Sequence, residues 1–151
     1  DDFLHERAAE LGIDVRNFME MGNLLLAKDY LRANQIRRMI LQDFERVFQD
    51  VDVLITPVTA TTAKRPKDHP IFINVNYTDG YSEDVLWAWC RYTMPISMAG
   101  TPVCVVPCGF DRNNLPIAMQ VVAPAFDEQT ALRVAYSYEQ ATDWHSKKPL
   151  L

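Results

Sequence analysis

The sequence predicts an α/β fold. Three observations predict it. Apolar residues recur at helical spacing through residues 17–48 and again after Asp127. Two short β-branched runs, residues 51–56 (V-D-V-L-I-T) and 103–107 (V-C-V-V-P), have the composition of strands buried on both faces. The two kinds of segment alternate, giving the order helix, long helix, strand, loop, helix, strand, strand, helix.

The first helix covers residues 3–11 and stops at Gly12, a C′ candidate. Asn17 is placed to cap the second. Its stripe runs through Phe18, Met21, Leu25, Ala33, Ile36, Ile40, Phe44 and Val47, with a kink or break expected at Gly22-Asn23. Arg32, Arg37 and Arg38 fall on the polar side, as a solvated face or, alternatively, an anion site. The strand at 51–56 is closed by Pro57. Residues 57–82 are rich in Pro, Thr, Lys and Asp and read as a long loop with one short strand at 71–75. Residues 83–98 are helical in pattern, and Pro95 ends or bends that helix near Met94. Gly100-Thr101-Pro102 is a turn. The strand at 103–107 leads through Asp111-Arg112-Asn113-Asn114, which is turn chemistry, into a return strand at 116–122. Asp127 is the N-cap of a last helix whose buried stripe is Ala131, Val134, Ala135 and Tyr138. Three strands make a small sheet with two edges, which suggests part of something larger.

Composition narrows the function. A chain of 151 residues can bury roughly 70% of its unfolded surface as one domain. The net charge of −5 argues against an electrostatic grip on nucleic acid. No apolar run is long enough for a membrane span, and the acidic start lacks a secretory signal core. The three cysteines, Cys90, Cys104 and Cys108, form an odd set in apolar surroundings, which suits reduced thiols in a cytoplasmic compartment. Cys104 and Cys108 would share a strand face. His5, His69 and His145 are scattered, so neither a metal nor another cofactor is expected.

Several blocks, in order, resemble the C-terminal portion of the amidase signature family. Y-L-R-A-N-Q-I-R at residues 30–37 resembles its Y-L-x-A-Q-x-x-R helix. F-Q-D-V-D-V-L-I-T-P at 48–57 resembles F-x-x-x-D-V-L-x-x-P. Y-T-M-P at 92–95 with A-G-T-P at 99–102 resembles F-T-x-P-x-N-x-x-G-x-P. P-C-G-F at 107–110, with L-P-I at 115–117 and Gln120, resembles P-x-G-x-x-x-x-x-L-P-x-G-x-Q. F-D-E at 126–128 and A-Y-S-Y-E at 135–139 fit the last helix.

The resemblance implies that residues 1–151 are a single partial domain, the C-terminal segment of an α/β/α sandwich around a mixed sheet. It implies hydrolysis of carboxylic amides by a Ser made nucleophilic through a second Ser and a Lys. A hydroxyl attacks poorly until a neighbouring base takes its proton. The family carries those residues in a preceding Gly-Ser-rich half. This chain has only Ser82, Ser97, Ser137 and Ser146, none in such a context. Ser97 reads as a hydroxyl next to the pocket, and a Cys-His pair using Cys90 or Cys108 is the other nucleophile considered. No catalytic residue is assigned, and the chain alone is expected to be inactive. The implied contribution is a substrate-pocket wall made of Trp87, Trp89, Cys90, Thr93 and Met94, each of which could equally be core. Glutamine-using relatives carry an acid where Cys90 stands, so a less polar amide is expected. The implied partners are a small-molecule amide and an N-terminal amidase half or same-family subunit. The alternative function is a non-catalytic binding or scaffold module derived from an amidase.

Overall fold

A computed structural model describes residues 2–63 and 74–148. The chain divides into two compact units, residues 1–37 and 38–151. The first is helical. Helix α1 (Asp2–Arg7) passes through a 3-10 turn (Ala8–Glu10) to α2 (Ile13–Gly22), and α3 (Ala27–Val47) begins in this unit and ends in the next. Gly12, rather than Asn17, is the N-cap residue of α2. Gly22 closes α2, and residues 23–26 separate it from α3, so the long apolar stripe belongs to two helices. Asn34 spends its side chain on the Tyr30 carbonyl one turn back, at 3.0 Å. None of the described side chains of residues 2–37 is buried.

The second unit is built on a three-stranded antiparallel sheet in the order β1-β5-β4, with β1 Leu54–Pro57, β4 Val103–Phe110 and β5 Pro116–Val122. The expected hairpin is present. Asp111 Oδ1 accepts the backbone N–H groups of Asn113 (2.8 Å) and Leu115 (2.9 Å), and Asn114 takes φ 59°. A short carboxylate bonding its own turn is why Asp opens such connections. Helix α6 (Glu128–Ala141) starts where expected, with Asp127 Oδ1 accepting the Thr130 N–H. It lies on β4 and β5, where Val106, Val121 and Ala135 form one buried cluster with Met119, Val134 and Tyr138 packed around it.

The strands at 51–56 and 103–107 were expected to be buried on both faces, and they are not. Ile55, paired with Val121 on the α6 face, is 51% exposed, and Val105, on the opposite face, is 53% exposed. Among the described strands only the central one, β5, is closed on both sides at its end, with Gln120, Val121 and Val122 all buried. β1 is four residues long, and β1 and β4 are both edges. Cys108 is the extra residue where the β4–β5 register shifts, a bulge that interrupts the alternation on which a shared face with Cys104 depends. All three cysteines are free.

The region before β4 holds two further corrections. A second small sheet pairs β2 (Asn74–Asn76) with β3 (Ser82–Asp84) through a turn with Gly80 at φ 85°. Much of the strand expected at 71–75 lies outside the described residues, as does His69, and β3 falls where the end of the loop and the start of the helix over 83–98 were expected. The helix expected over 83–98 is two helices. Asp84 caps α4 (Val85–Cys90) through the Leu86 N–H, residues 91–93 break it, and Pro95 sits in the first turn of α5 (Met94–Ala99). Pro lacks an N–H, and the first turn of a helix is where none is needed. Proline therefore marks a start here, two residues after the real break. Gly100 ends α5 at φ 74°, left-handed backbone that suits glycine.

Candidate functional site

Everything at the candidate site hangs on the short α4–α5 segment, so what fixes that segment matters first. Gln120 does so. It is 2% exposed, and its Nε2 donates towards Thr56 Oγ1 (2.8 Å), the Pro57 carbonyl (3.0 Å) and the Tyr92 carbonyl (3.1 Å). Gln120 and Thr56 sit opposite each other in the sheet, on the face away from Val121 and α6. One amide thus joins the central strand, an edge strand and the break between α4 and α5. The α4–α5 break is therefore tied to the sheet face opposite α6. A buried amide stays only where its hydrogen bonds are made, so this position specifies the corner's placement as well as its stability.

The second anchor is apolar. Val75, Val85 and Ala88 form a separate buried cluster, with Ala60, Tyr77 and Trp89 packed on it. Trp89 Nε1 donates to Thr61 Oγ1 at 3.2 Å, and the Ala60 N–H donates to the Ala88 carbonyl at 3.0 Å. The same loop is held at its far end by Thr62, whose hydroxyl donates to Asp111 Oδ2 at 2.8 Å. The Leu115 N–H, the Thr62 hydroxyl and the Asn113 N–H together hold the Asp111 carboxyl below its ordinary range.

On the other side of α4 lies a cleft of about 480 Å³. Its apolar walls are Ile40 of α3, Trp87 of α4, and Met94, Pro95 and Met98 of α5. Trp87 and Arg91 are one turn apart at the end of α4, and Met94 and Met98 one turn apart on α5. Tyr81, Glu83 and Arg91 complete the lining. Glu83 and Arg91 form an ion pair in which the Glu83 side chain is 8% exposed and that of Arg91 39%. The Tyr77 hydroxyl donates to the other Glu83 oxygen, and the Arg91 guanidinium lies 5.9 Å from the centre of the Tyr81 ring. The Tyr77 hydroxyl, and after it Arg91, hold the Glu83 carboxyl below its ordinary range, while the same hydrogen bond pushes the Tyr77 hydroxyl up.

The five residues expected at a pocket wall are not all together. Trp87 and Met94 line the cleft. Trp89 points into the cluster on the opposite side of α4. Cys90 and Thr93 stand at the helix break, half-buried, with the Thr93 hydroxyl donating to the Cys90 carbonyl at 3.3 Å. Sequence reading missed Glu83, Arg91 and Tyr81. The four-residue spacing of Trp87 and Arg91 carried a signal for Arg91. Asp79-Gly80, a hairpin dipeptide, carried one for the β2–β3 turn that presents Tyr81 and Glu83.

As for nucleophiles, the Ser137 and Ser146 hydroxyls each donate at 2.8 Å to a backbone carbonyl nearby in sequence, those of Arg133 and Asp143. Burial pushes the Cys108 thiol up, away from the thiolate. Among the described residues no three His, Cys, Asp or Glu side chains gather as a metal site. No helix among them is long and apolar enough to cross a membrane.

Comparison with known proteins places this arrangement. The family profile described as Amidase matches residues 1–132. The chain is 38% identical over 154 residues to the glutamyl-tRNA(Gln) amidotransferase A subunit of Halothermothrix orenii, covering 99% of this chain and 30% of that protein. Among solved structures it superposes on an amidase crystal structure with a TM-score of 0.80 at 23% identity, over 91% of this chain and 30% of the other, a likeness of fold. It also superposes at 0.81, with 26% identity, over 97% of this chain and 31% of a protein from a vestigial complex that bears on the origins of an s-triazine catabolic enzyme. The chain therefore spans about 30% of the length of these relatives. The ordered motifs, the α/β architecture and the profile match agree, and the chain belongs to the amidase signature family.

Proposed function

We propose that residues 1–151 form one partial domain of a hydrolase of carboxylic amides, supplying sheet strands and a substrate-pocket wall but not the Ser-Ser-Lys machinery. The observation that carries this reading is the Amidase match over residues 1–132 of a chain whose four serines all lie outside any Gly-Ser-rich context. A match spanning both compact units also supports treating them as parts of one domain. The chemistry needs a hydroxyl activated by a base and donors for the oxyanion. On this reading those groups come from an N-terminal amidase half or a same-family subunit. The name of the Halothermothrix orenii relative, which is one subunit of an amidotransferase, supports such an assembly.

Within the wall, Trp87 and Met94 would touch substrate, Cys90 and Thr93 would lie at the corner nearest the sheet, and Trp89 would hold α4 in place. Three free thiols support a reducing compartment such as the cytoplasm. The test is ammonia release from a panel of simple amides, using this chain alone and the longest native polypeptide that contains it. Turnover by the longer polypeptide only is the expected result. A folded protein that binds amides without turnover in either form would replace this reading with a scaffold module derived from an amidase.

A further inference from the structure

Resting on that reading, we infer that Arg91 is a receptor for a carboxylate, and that the amides this cleft selects carry one. The guanidinium is fixed before any ligand arrives. Its Nη2 donates to one oxygen of Glu83, whose other oxygen accepts the Tyr77 hydroxyl, and the Tyr81 ring flanks it with its centre 5.9 Å from Cζ. The Glu83 side chain is 8% exposed and that of Arg91 39%, so the anchor is enclosed while the cation still lines the cleft. A planar guanidinium already held on one side gives up little freedom when it takes a ligand on another.

Donors remain for that ligand. Arg91 engages Glu83 through Nη2 alone, and its Nε and Nη1 keep their N–H groups. A carboxylate is the acceptor whose paired oxygens match such N–H groups. Ile40, Met94, Pro95 and Met98 line the same cleft with apolar surface and no competing charge. Glu83 does not close the site to anions. Coulomb energy falls with separation, and a carboxylate bonded to Arg91 lies nearer the guanidinium than it does to Glu83. An ammonium finds no such place, because Glu83 is the one carboxylate among the described lining residues and both its oxygens are engaged. The class this geometry fits is an amide whose body carries a carboxylate and no amino group.

The probes are phenylacetate, phenethyl alcohol and phenethylamine, an anion, a neutral molecule and a cation on the same apolar body. They are titrated calorimetrically into the longest native polypeptide that carries these residues. None is an amide, so binding is read apart from turnover. Phenylacetate is expected to bind at least roughly tenfold more tightly than phenethyl alcohol, the equivalent of about 1.4 kcal/mol, with phenethylamine the weakest. Arg91→Gln alone would leave Glu83 enclosed without its cation, so the decisive protein combines Glu83→Gln with Arg91→Gln and removes both charges together. It should bind phenylacetate roughly tenfold more weakly and phenethyl alcohol within about twofold of the unaltered protein. An ion pair with a structural role only would change the melting temperature and leave this preference as it was. In turnover, kcat/KM for terephthalamate should exceed that for para-toluamide by roughly tenfold. The proposal is overturned if phenethyl alcohol or phenethylamine binds as tightly as phenylacetate, if the folded double variant keeps the preference, or if para-toluamide is hydrolysed as well as terephthalamate. Preference for phenylacetate with no ammonia from any amide would remove the amidase reading and leave the receptor standing. Ammonia from amides with no preference among the three probes would do the reverse.

Discussion

Residues 2–37 and residues 38–148 make opposite use of apolar side chains. In the first unit Ile13, Leu24, Leu25 and Leu31 are all more than 60% exposed, and no described side chain is buried. In the second, small residues and one amide do the enclosing: Ala88, Ala123, Ala131, Val121, Val122 and Gln120 are at or below 2% exposure. Helical periodicity makes a helix in both, but only where a sheet lies opposite does the stripe become a core. An amphipathic pattern in a sequence thus announces a contact without saying that the same chain provides it.

Substitutions can break this contrast. The largest loss is expected at Gln120→Leu, about 2–3 kcal/mol, because the buried amide's hydrogen bonds to Thr56 and to the Pro57 and Tyr92 carbonyls are all lost. A fall in the denaturation midpoint with unchanged slope would register it. Val121→Ala should cost about 2 kcal/mol, its methyl groups leaving a gap between β5 and α6. Asp127→Ala removes the N-cap of α6, worth about 1 kcal/mol. Leu25→Ala, at 70% exposure, should change the same chain's stability by less than about 0.5 kcal/mol. If Leu25→Ala cost as much as Val121→Ala, the contrast between the units would collapse.

Phe126 sharpens the same point from the backbone side. It holds φ 66° and is 95% exposed. A bulky residue in left-handed conformation is strained, and no burial in this chain offsets it. Phe126→Gly should therefore stabilise the isolated chain by about 1 kcal/mol.

The smallest effect is electrostatic. The folded-state pKa of Asp111 is depressed, so its contribution is present above the unfolded carboxyl value. It is lost as pH falls through the lower folded value, in the region below about pH 4. Asp111→Asn should keep most neutral-pH stability, since an amide oxygen can still accept the turn's N–H groups, while flattening the acid limb of a stability-against-pH curve.

Much of the second unit was legible. The β4–β5 hairpin, the Asp127 cap and the α6 stripe follow from turn chemistry, capping and period, which act within a few residues. What escaped depended on distance or on ambiguity. Asn17 looked like a cap because it precedes Phe18, yet the helix had already begun at Ile13. Pro95 looked like a stop, but proline serves a helix start equally well. The β-branched runs looked buried on both faces, but burial depends on which elements lie across the sheet. At the candidate site, Trp87 and Met94, named from the sequence, line the cleft. Glu83 was missed, because its partners, Tyr77 and Arg91, come from a hairpin loop and a helix end. Gln120 was visible only as a motif residue, since its partners lie 28 to 64 positions away in sequence.

The most direct measurement compares ammonia release by the purified 151-residue chain with that by the longest native polypeptide containing it, on the same neutral amides. The longer polypeptide should release ammonia and the chain alone should release none. Steady turnover by these residues alone would contradict the claim that the nucleophile lies elsewhere.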